Sequence, residues 1–337
     1  MNSRERVIRA ITFEEPDRVP VMHSSLRWSG SEERRNEFRK IIEKYPEDYG
    51  YSHYHGSGKV DKRTVRGVYR DEWGVVWKNV TGSIIGQIVH HPLSNWEAFS
   101  SYEFPDPLED PVFEFVERYI QKVGHEKYIS VDYISLFERM QALRGFERLM
   151  VDIMKRRKEF YTLADQIVKY NLERIKRWLE MDVDEIYLGD DWGTQDDSMV
   201  SPKVWREMFK PYYKRMVDAV HKRGRFVHFH SDGNIFKLLP EMIDCGFDVI
   251  HAQVKIMGIQ RLAENFGGKV CFRADSDRQR ILPFGSVDDV RRHVKEIIEK
   301  LGCFGGGLIG YAMIAPDVPV RNYEAVYKTY FEYGRYR

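Results

Sequence analysis

From about residue 159 onward the sequence keeps one cadence: an amphipathic helical stretch, a short glycine-containing break, then a brief β-like run ending in polar residues. In "DQIVKYNLERIKRWLE", Val168, Leu172, Ile175 and Leu179 recur at helical spacing, so one apolar stripe runs along an otherwise charged helix. The strand "DEIYLGDDWG" follows. In "SPKVWREMFKPYYKRMVDAVHKRG", Ser201 can cap the helix, Pro202 suits its first turn, Pro211 predicts a kink and Gly224 marks the end. "RFVHFH", "FDVIHAQ" and "KVCFRADSD" read as further strands, separated by the helices "IFKLLPEMIDCG" and "GIQRLAENFGG". A capping box, Ser286 to Asp289, opens "SVDDVRRHVKEIIEKLG", and "GGGLIGYA" with the helix "RNYEAVYKTYFEYG" closes the series. Strands that alternate with helices in this way pair in parallel.

Together with "DRVPVMH" near the start and "KYISVDY" in the middle, these units approach the eight of a (β/α)8 barrel. The expected fold is therefore α/β: a single TIM barrel over residues 1–337. Residues 50–110 are expected to form a β-rich antiparallel insertion, because "VRGVYRDEWGVVWKNVTGSIIGQIVHHPL" is β-branched and aromatic and broken by glycine. A doubly wound open sheet is the alternative, since local pattern does not show whether a parallel sheet closes. The chain has 337 residues, 42% of them hydrophobic, enough for one large core. With 53 Lys and Arg against 52 Asp and Glu, it carries no field that would attract nucleic acid or an anionic membrane. No segment approaches the roughly 20 apolar residues needed to span a bilayer. Cys245, Cys271 and Cys303 form no C-x-x-C pair, which fits a reducing compartment, and the charged start lacks an apolar leader; a cytoplasmic protein is expected.

In a barrel strand, alternate residues face the outer helices and the others face the bore. If Val227 and Phe229 face outward, then Phe226, His228 and His230 turn in. The same reasoning brings His251 and Gln253, then Cys271, Arg273 and Asp275, then Tyr187, Gly189 and Asp191 inward, with Asp190 at its strand's end. Imidazoles, carboxylates, a guanidinium and an amide would thus converge at the C-terminal ends of neighbouring strands, where barrel enzymes place their chemistry. His228, the deeper of its pair, is expected to be a packing residue. Burying the other groups without use would cost several kcal/mol per unpaired charge, so a solvated functional pocket is the better explanation.

The stretches "SRERVIRAITFEEPDRVPV", "GDDWGTQDDSMVSPKVWREMFKPYYKRMVDAVHKRG", "HFHSDGNI" and "ILPFGSVDDVRRHVKEIIEKLG" resemble the uroporphyrinogen decarboxylase superfamily nearly end to end. The likeness is closest to its decarboxylase-like branch, which is similar to methyltransferases that move methyl groups to or from corrinoid proteins. It implies one closed (β/α)8 barrel. Family methyltransferases carry an H-x-C-G motif whose His and Cys bind zinc, with a further Cys near the chain's end. Here the motif reads His230, Ser231, Asp232, Gly233, and "LIGYAMIAPDVP" has no Cys. A carboxylate in place of sulfur makes a harder site, less suited to activating a thiol acceptor. Zinc is the candidate metal, on His230 and Asp232 with Asp191 or His251 as a third group. The resemblance to the decarboxylase itself is weaker: Arg27 is present, but the family's Arg-rich N-terminal phrase is not recognisable.

Other signals carry less. "GGGLIG" matches G-x-G-x-x-G but enters a strand instead of leaving one, and "DAVHKRG" is an ordinary helix end. His53 with His55, and His90 with His91, sit in loop-like surroundings; Glu138 and Arg139 follow a strand, with a surface ion pair as the default reading. The leading expectation is a methyltransferase that takes a methyl group from a small methoxylated or methylated substrate and passes it to a corrinoid carried by a partner protein. His230, Asp232 and Asp191 would be catalytic, and Arg273, Gln253, His251, Asp190 and Tyr187 would bind substrate. A cofactor-free decarboxylase of a tetrapyrrole or other carboxylated substrate, and a non-catalytic tetrapyrrole- or partner-binding barrel, are the alternatives.

Overall fold

The strand-helix cadence closes on itself. In a computed structural model, which describes residues 1–52, 60–82, 85–124 and 126–336, the chain forms β1 (Val21–His23) and β2 (Tyr49–Tyr51), then β3 (Gly67–Arg70), β4 (Val76–Asn79) and β5 (Gln87–His90). It continues through β6 (Tyr128–Ile134), β7 (Glu185–Gly189), β8 (Phe226–Ser231), β9 (Val249–Ala252), β10 (Cys271–Asp275) and β11 (Leu308–Ala312). Eight of these run parallel in the order β1-β11-β10-β9-β8-β7-β6-β2, with helices between them. Apart from the interposed β3–β5 and the seam between β1 and β2, chain neighbours are sheet neighbours, and β11 returns to pair with β1, which excludes the doubly wound order. No helix among the described residues is long and apolar enough to cross a membrane.

The seam between β1 and β2 is bridged by the segment that leads into β2. The main-chain N–H of Asp48 donates to the carbonyl of Val21 at 3.0 Å, and the N–H of Val21 donates to Asp48 Oδ2 at 2.8 Å. Asp48 is fully buried, and its charge is met by Arg6 at 2.7 Å and Arg18 at 2.8 Å. Removing one member of such a buried set leaves the others uncompensated, so Asp48→Ala is expected to cost about 3–5 kcal/mol of stability. A free energy of unfolding in urea lowered by less than about 1 kcal/mol would mean that the seam does not depend on this carboxylate.

The antiparallel sheet β3-β4-β5 is the expected insertion. Its boundary is narrower than the sequence implied, because Tyr49–Tyr51 is the eighth barrel strand, too short to display alternation. His53 and His55 lie outside the described residues. Pro211 does more than kink its helix: the segment divides into Pro202–Met208 and Lys210–His221 at Phe209, since proline lacks the N–H that would continue the ladder.

Below the midpoint the bore is plugged. Tyr49, Tyr128, Val249, Cys271 and Ile309 pack over Val7 and Ile11 of the helix Ser3–Thr12. Above them Glu185 accepts from Ser130 Oγ at 2.6 Å and faces Nδ1 of His228 at 3.0 Å, all of it buried. Burial pushes the Glu185 carboxyl up to about 7. His228 thus has the packing role expected of it, and only the upper end of the barrel is left open for chemistry.

Candidate active site

Strand register assembles the upper layer. Gly189, His230, His251 and Arg273 lie side by side across β7, β8, β9 and β10. Gly189 leaves room for a ring from the next strand: a Cβ there would stand 2.6 Å from the Tyr133 side chain. Tyr133 reaches the site because β6 breaks register between Val131 and Ile134. Asp132 takes a left-handed φ of 66° at that break, its carboxylate held by Arg174 Nε at 2.9 Å and Trp178 Nε1 at 2.7 Å. Such a bulge re-aims the following side chain, which period-2 reading does not anticipate.

The loops after β7 and β8 cross at two glycines. Gly233 has φ of 79°, and a Cβ on it would stand 2.3 Å from the backbone of Gly193. The crossing brings Asp191 and Asp232 together, with the N–H of Asp232 donating to Asp191 Oδ1 at 2.8 Å. Nε2 of His230 faces Asp191 Oδ1 at 3.6 Å and Asp232 Oδ1 at 3.5 Å. One ligand atom from each of the three residues lies within 4.8 Å of the others. Arg278 ion-pairs with the other oxygen of Asp232 and stands 3.6 Å from Asp275. Asp232 Oδ1 is buried and has no hydrogen-bond partner among the described residues.

This cluster edges a cavity of about 890 Å³. His230, His251, Arg278, Tyr133 and Glu138 form its floor side, while the barrel's first loop supplies Arg27 and Trp28 and the antiparallel sheet supplies Trp77 and Ile88. The insertion is therefore a wall of the site. His91 also borders the cavity, with Nδ1 bound to the carbonyl of Ala142 at 2.8 Å, whereas His90 ends β5 exposed.

The structure does not place every candidate on that surface. Asp190 is fully buried toward the helices, where it accepts from Tyr213 Oη at 2.5 Å and from the N–H groups of Leu136 and Glu138 at 2.9 and 2.6 Å. It stops short of the bore because consecutive strand residues point to opposite faces. It serves instead as an outside cap for the helix Phe137–Arg144, which has no side-chain cap of its own. Arg273 and Tyr187 are enclosed beneath the histidines, Arg273 Nη2 donating to the Tyr187 hydroxyl at 2.7 Å. Gln253 Oε1 accepts from the N–H of Gly233 at 3.1 Å and stands off the cavity wall.

Glu138 is the main residue that sequence reasoning set aside. It opens the helix after β6, the place where a barrel turns toward its mouth, and that position was the available signal. Tyr133 Oη donates to Glu138 Oε2 at 3.3 Å. Burial, with Asp191 and Asp190 nearby, holds the Glu138 carboxyl well above the usual carboxylate range. Burial likewise raises Asp191 against the pull of His230, and pushes Asp275 up to about 7. It lowers His230 and takes His251 well below the ordinary imidazole value, with Arg273 adding to both. Imidazoles and an acid whose neutral forms are favoured by burial thus sit beside a pair of aspartates, an arrangement suited to delivering a proton or holding a cation.

Residues 76–333 match the model of a family described as uroporphyrinogen decarboxylase (URO-D). No curated protein matches the sequence. A methyltransferase from Methanosarcina mazei superposes over 99% of this chain and 99% of its own, with a TM-score of 0.69 at 20% identity, which shows a shared fold. A B12-independent methionine synthase from Shewanella sp. W3-18-1 aligns over 87% of this chain and 84% of its own at 11% identity; its TM-score of 0.48 is too low to bear on chemistry.

Proposed function

The chain belongs to the uroporphyrinogen decarboxylase family, and on that premise we propose a methyltransferase that takes a methyl group from a small methoxylated or methylated compound. The acceptor is the cobalt of a corrinoid held by a separate protein docked at the barrel mouth. The observation that carries this reading is the Asp191, His230 and Asp232 cluster beside a cavity large enough for a small substrate. Two carboxylate oxygens and one imidazole nitrogen fit zinc or a harder divalent ion, and a set of three protein ligands leaves a position open. His230 Nε2 and one oxygen each of Asp191 and Asp232 would hold it, giving the orphaned Asp232 Oδ1 a partner.

Such an ion, when bound, polarises the oxygen that bears the methyl group. Glu138, whose protonated form its surroundings favour, gives that oxygen its proton as the carbon–oxygen bond breaks. The bond pair stays on oxygen, and the methyl carbon takes the electron pair of reduced cobalt. Tyr133 orients the acid, while Trp28 and Trp77 hold the apolar body of the substrate and keep water out. Arg273 and Gln253 act from behind the wall, on the groups that face the cavity. A carboxylate where a thiolate would stand argues against a thiol acceptor.

One observation favours a decarboxylase as the second reading. Arg139 borders the cavity and stacks 4.4 Å from the ring of Trp73, and among the described residues it has no hydrogen-bond or ion-pair partner, which leaves it open to a substrate carboxylate. The test is metal analysis of the purified protein, together with incubation with methoxyarenes and reduced corrinoid protein, followed by the methyl-cobalt absorption. About one divalent ion per chain and a growing methyl-cobalt signal are expected. Metal-independent release of carbon dioxide from porphyrinogens would favour the decarboxylase, and silence in both assays would leave only a binding barrel.

A further inference from the structure

The two imidazoles at the cavity floor are tied to a guanidinium, whose donors-only chemistry assigns the donor and acceptor roles of the rings. Nδ1 of His251 meets Nη2 of Arg273, and stands 3.1 Å from the Tyr187 hydroxyl and 2.9 Å from Nδ1 of His230. A guanidinium offers only donors, so His251 Nδ1 must carry a lone pair and the ring's proton sits on Nε2. His230 Nδ1 is then the donor between the two rings, since two facing lone pairs would repel. A neutral His230 is left with its Nε2 lone pair aimed at Asp191 Oδ1 and Asp232 Oδ1, at 3.6 and 3.5 Å. Three acceptors face one another there, a set that a cation would complete.

We propose that His251 and Arg273 are positioning residues which set the tautomer of His230, so that Nε2 is the atom presented to a divalent metal. Strand register makes the arrangement rigid: Arg273 pairs with His251, and His251 with His230, across three adjacent strands. Both positioning residues are buried, Arg273 completely and His251 to 2% exposure, so water does not compete for these bonds. A ligating histidine more often donates its second N–H to a carboxylate, which raises its basicity. Here the acceptor is a neutral imidazole polarised by an arginine, which leaves His230 a weaker donor and its metal a stronger Lewis acid. This inference rests on the reading of Asp191, His230 and Asp232 as metal ligands.

The test titrates the full chain with Co(II), read by its visible d–d bands, and with Zn(II) in competition. His251→Asn keeps an acceptor oxygen close to the place of Nδ1, whereas His251→Leu removes it. His251→Asn is expected to bind within a few-fold of the wild type with a similar Co(II) spectrum, and His251→Leu to lose about 10–100-fold in affinity with a changed spectrum. Equal binding by wild type and His251→Leu would overturn the positioning role alone, as would an equal loss in both variants, which would point to packing. A wild type that takes up neither ion would overturn the ligand reading and this inference together. Should His251→Leu fail to fold, nitrogen-proton correlation spectra of the zinc-loaded wild type decide: a proton on Nδ1 of His251 would refute the proposed order.

Discussion

Replacing His230 with alanine is expected to strip the bound ion and slow methyl transfer about a thousand-fold. His230 supplies the only nitrogen of the candidate ligand set, and without it Asp191 and Asp232 remain as two carboxylates beside Arg278. A Lewis acid contributes several kcal/mol of transition-state stabilisation, and each 1.4 kcal/mol or so is a factor of ten in rate. The fold should survive, because the bore is plugged independently by the aromatic and aliphatic layer and by Glu185 with His228. Metal content and the rate of methyl-cobalt formation are the measurements. A variant that keeps its metal and stays within ten-fold of the parental rate would show that chemistry does not pass through this cluster.

Glu138→Gln should cost about 100- to 10,000-fold in the same assay, the range for loss of a positioned proton donor. The pH dependence gives the sharper signature. Glu138 is active as the acid, and burial with Asp191 and Asp190 nearby raises its carboxyl and favours the protonated form, so the parental rate should fall as pH rises through the raised value. The variant has no proton to lose there and should show no such limb. Stability follows the same sign: the folded state holds this proton more tightly than the unfolded chain does. The group's contribution is therefore full below the ordinary carboxylate range and is lost as pH rises through the folded-state value. Glu138→Gln, which mimics the neutral acid, should consequently be at least as stable as the parent at alkaline pH. An unchanged pH-rate profile would remove Glu138 from the mechanism.

Much of the barrel was legible because its causes are local. Val227 and Phe229 beside His228 and His230 carry the period of a strand, and Ser286 with Asp289 form the capping box that their spacing predicts. The eighth strand was not legible, since Tyr49–Tyr51 is shorter than one full alternation and is held by the carboxylate of Asp48 and its two arginines. At the site, strand alternation was enough to bring His230, His251 and Arg273 into one layer. It could not tell which of them would meet solvent. Arg273 is enclosed and Glu138 borders the cavity, because depth along a strand and the aim of a loop depend on what packs around them.

Side-chain periodicity and helix caps act over a few residues, so the sequence by itself determined a parallel strand-helix series and the inward set on β7 to β10. Contacts between distant segments decided the rest. The crossing of Gly193 and Gly233 sets the two aspartates against His230, the bulge at Asp132 turns Tyr133 toward the acid, and the antiparallel sheet walls the cavity. The segments that fix them are distant in the chain, as Arg174 and Trp178 are from Asp132, and the free energy comes from burial and hydrogen bonding that exist only once the barrel has closed.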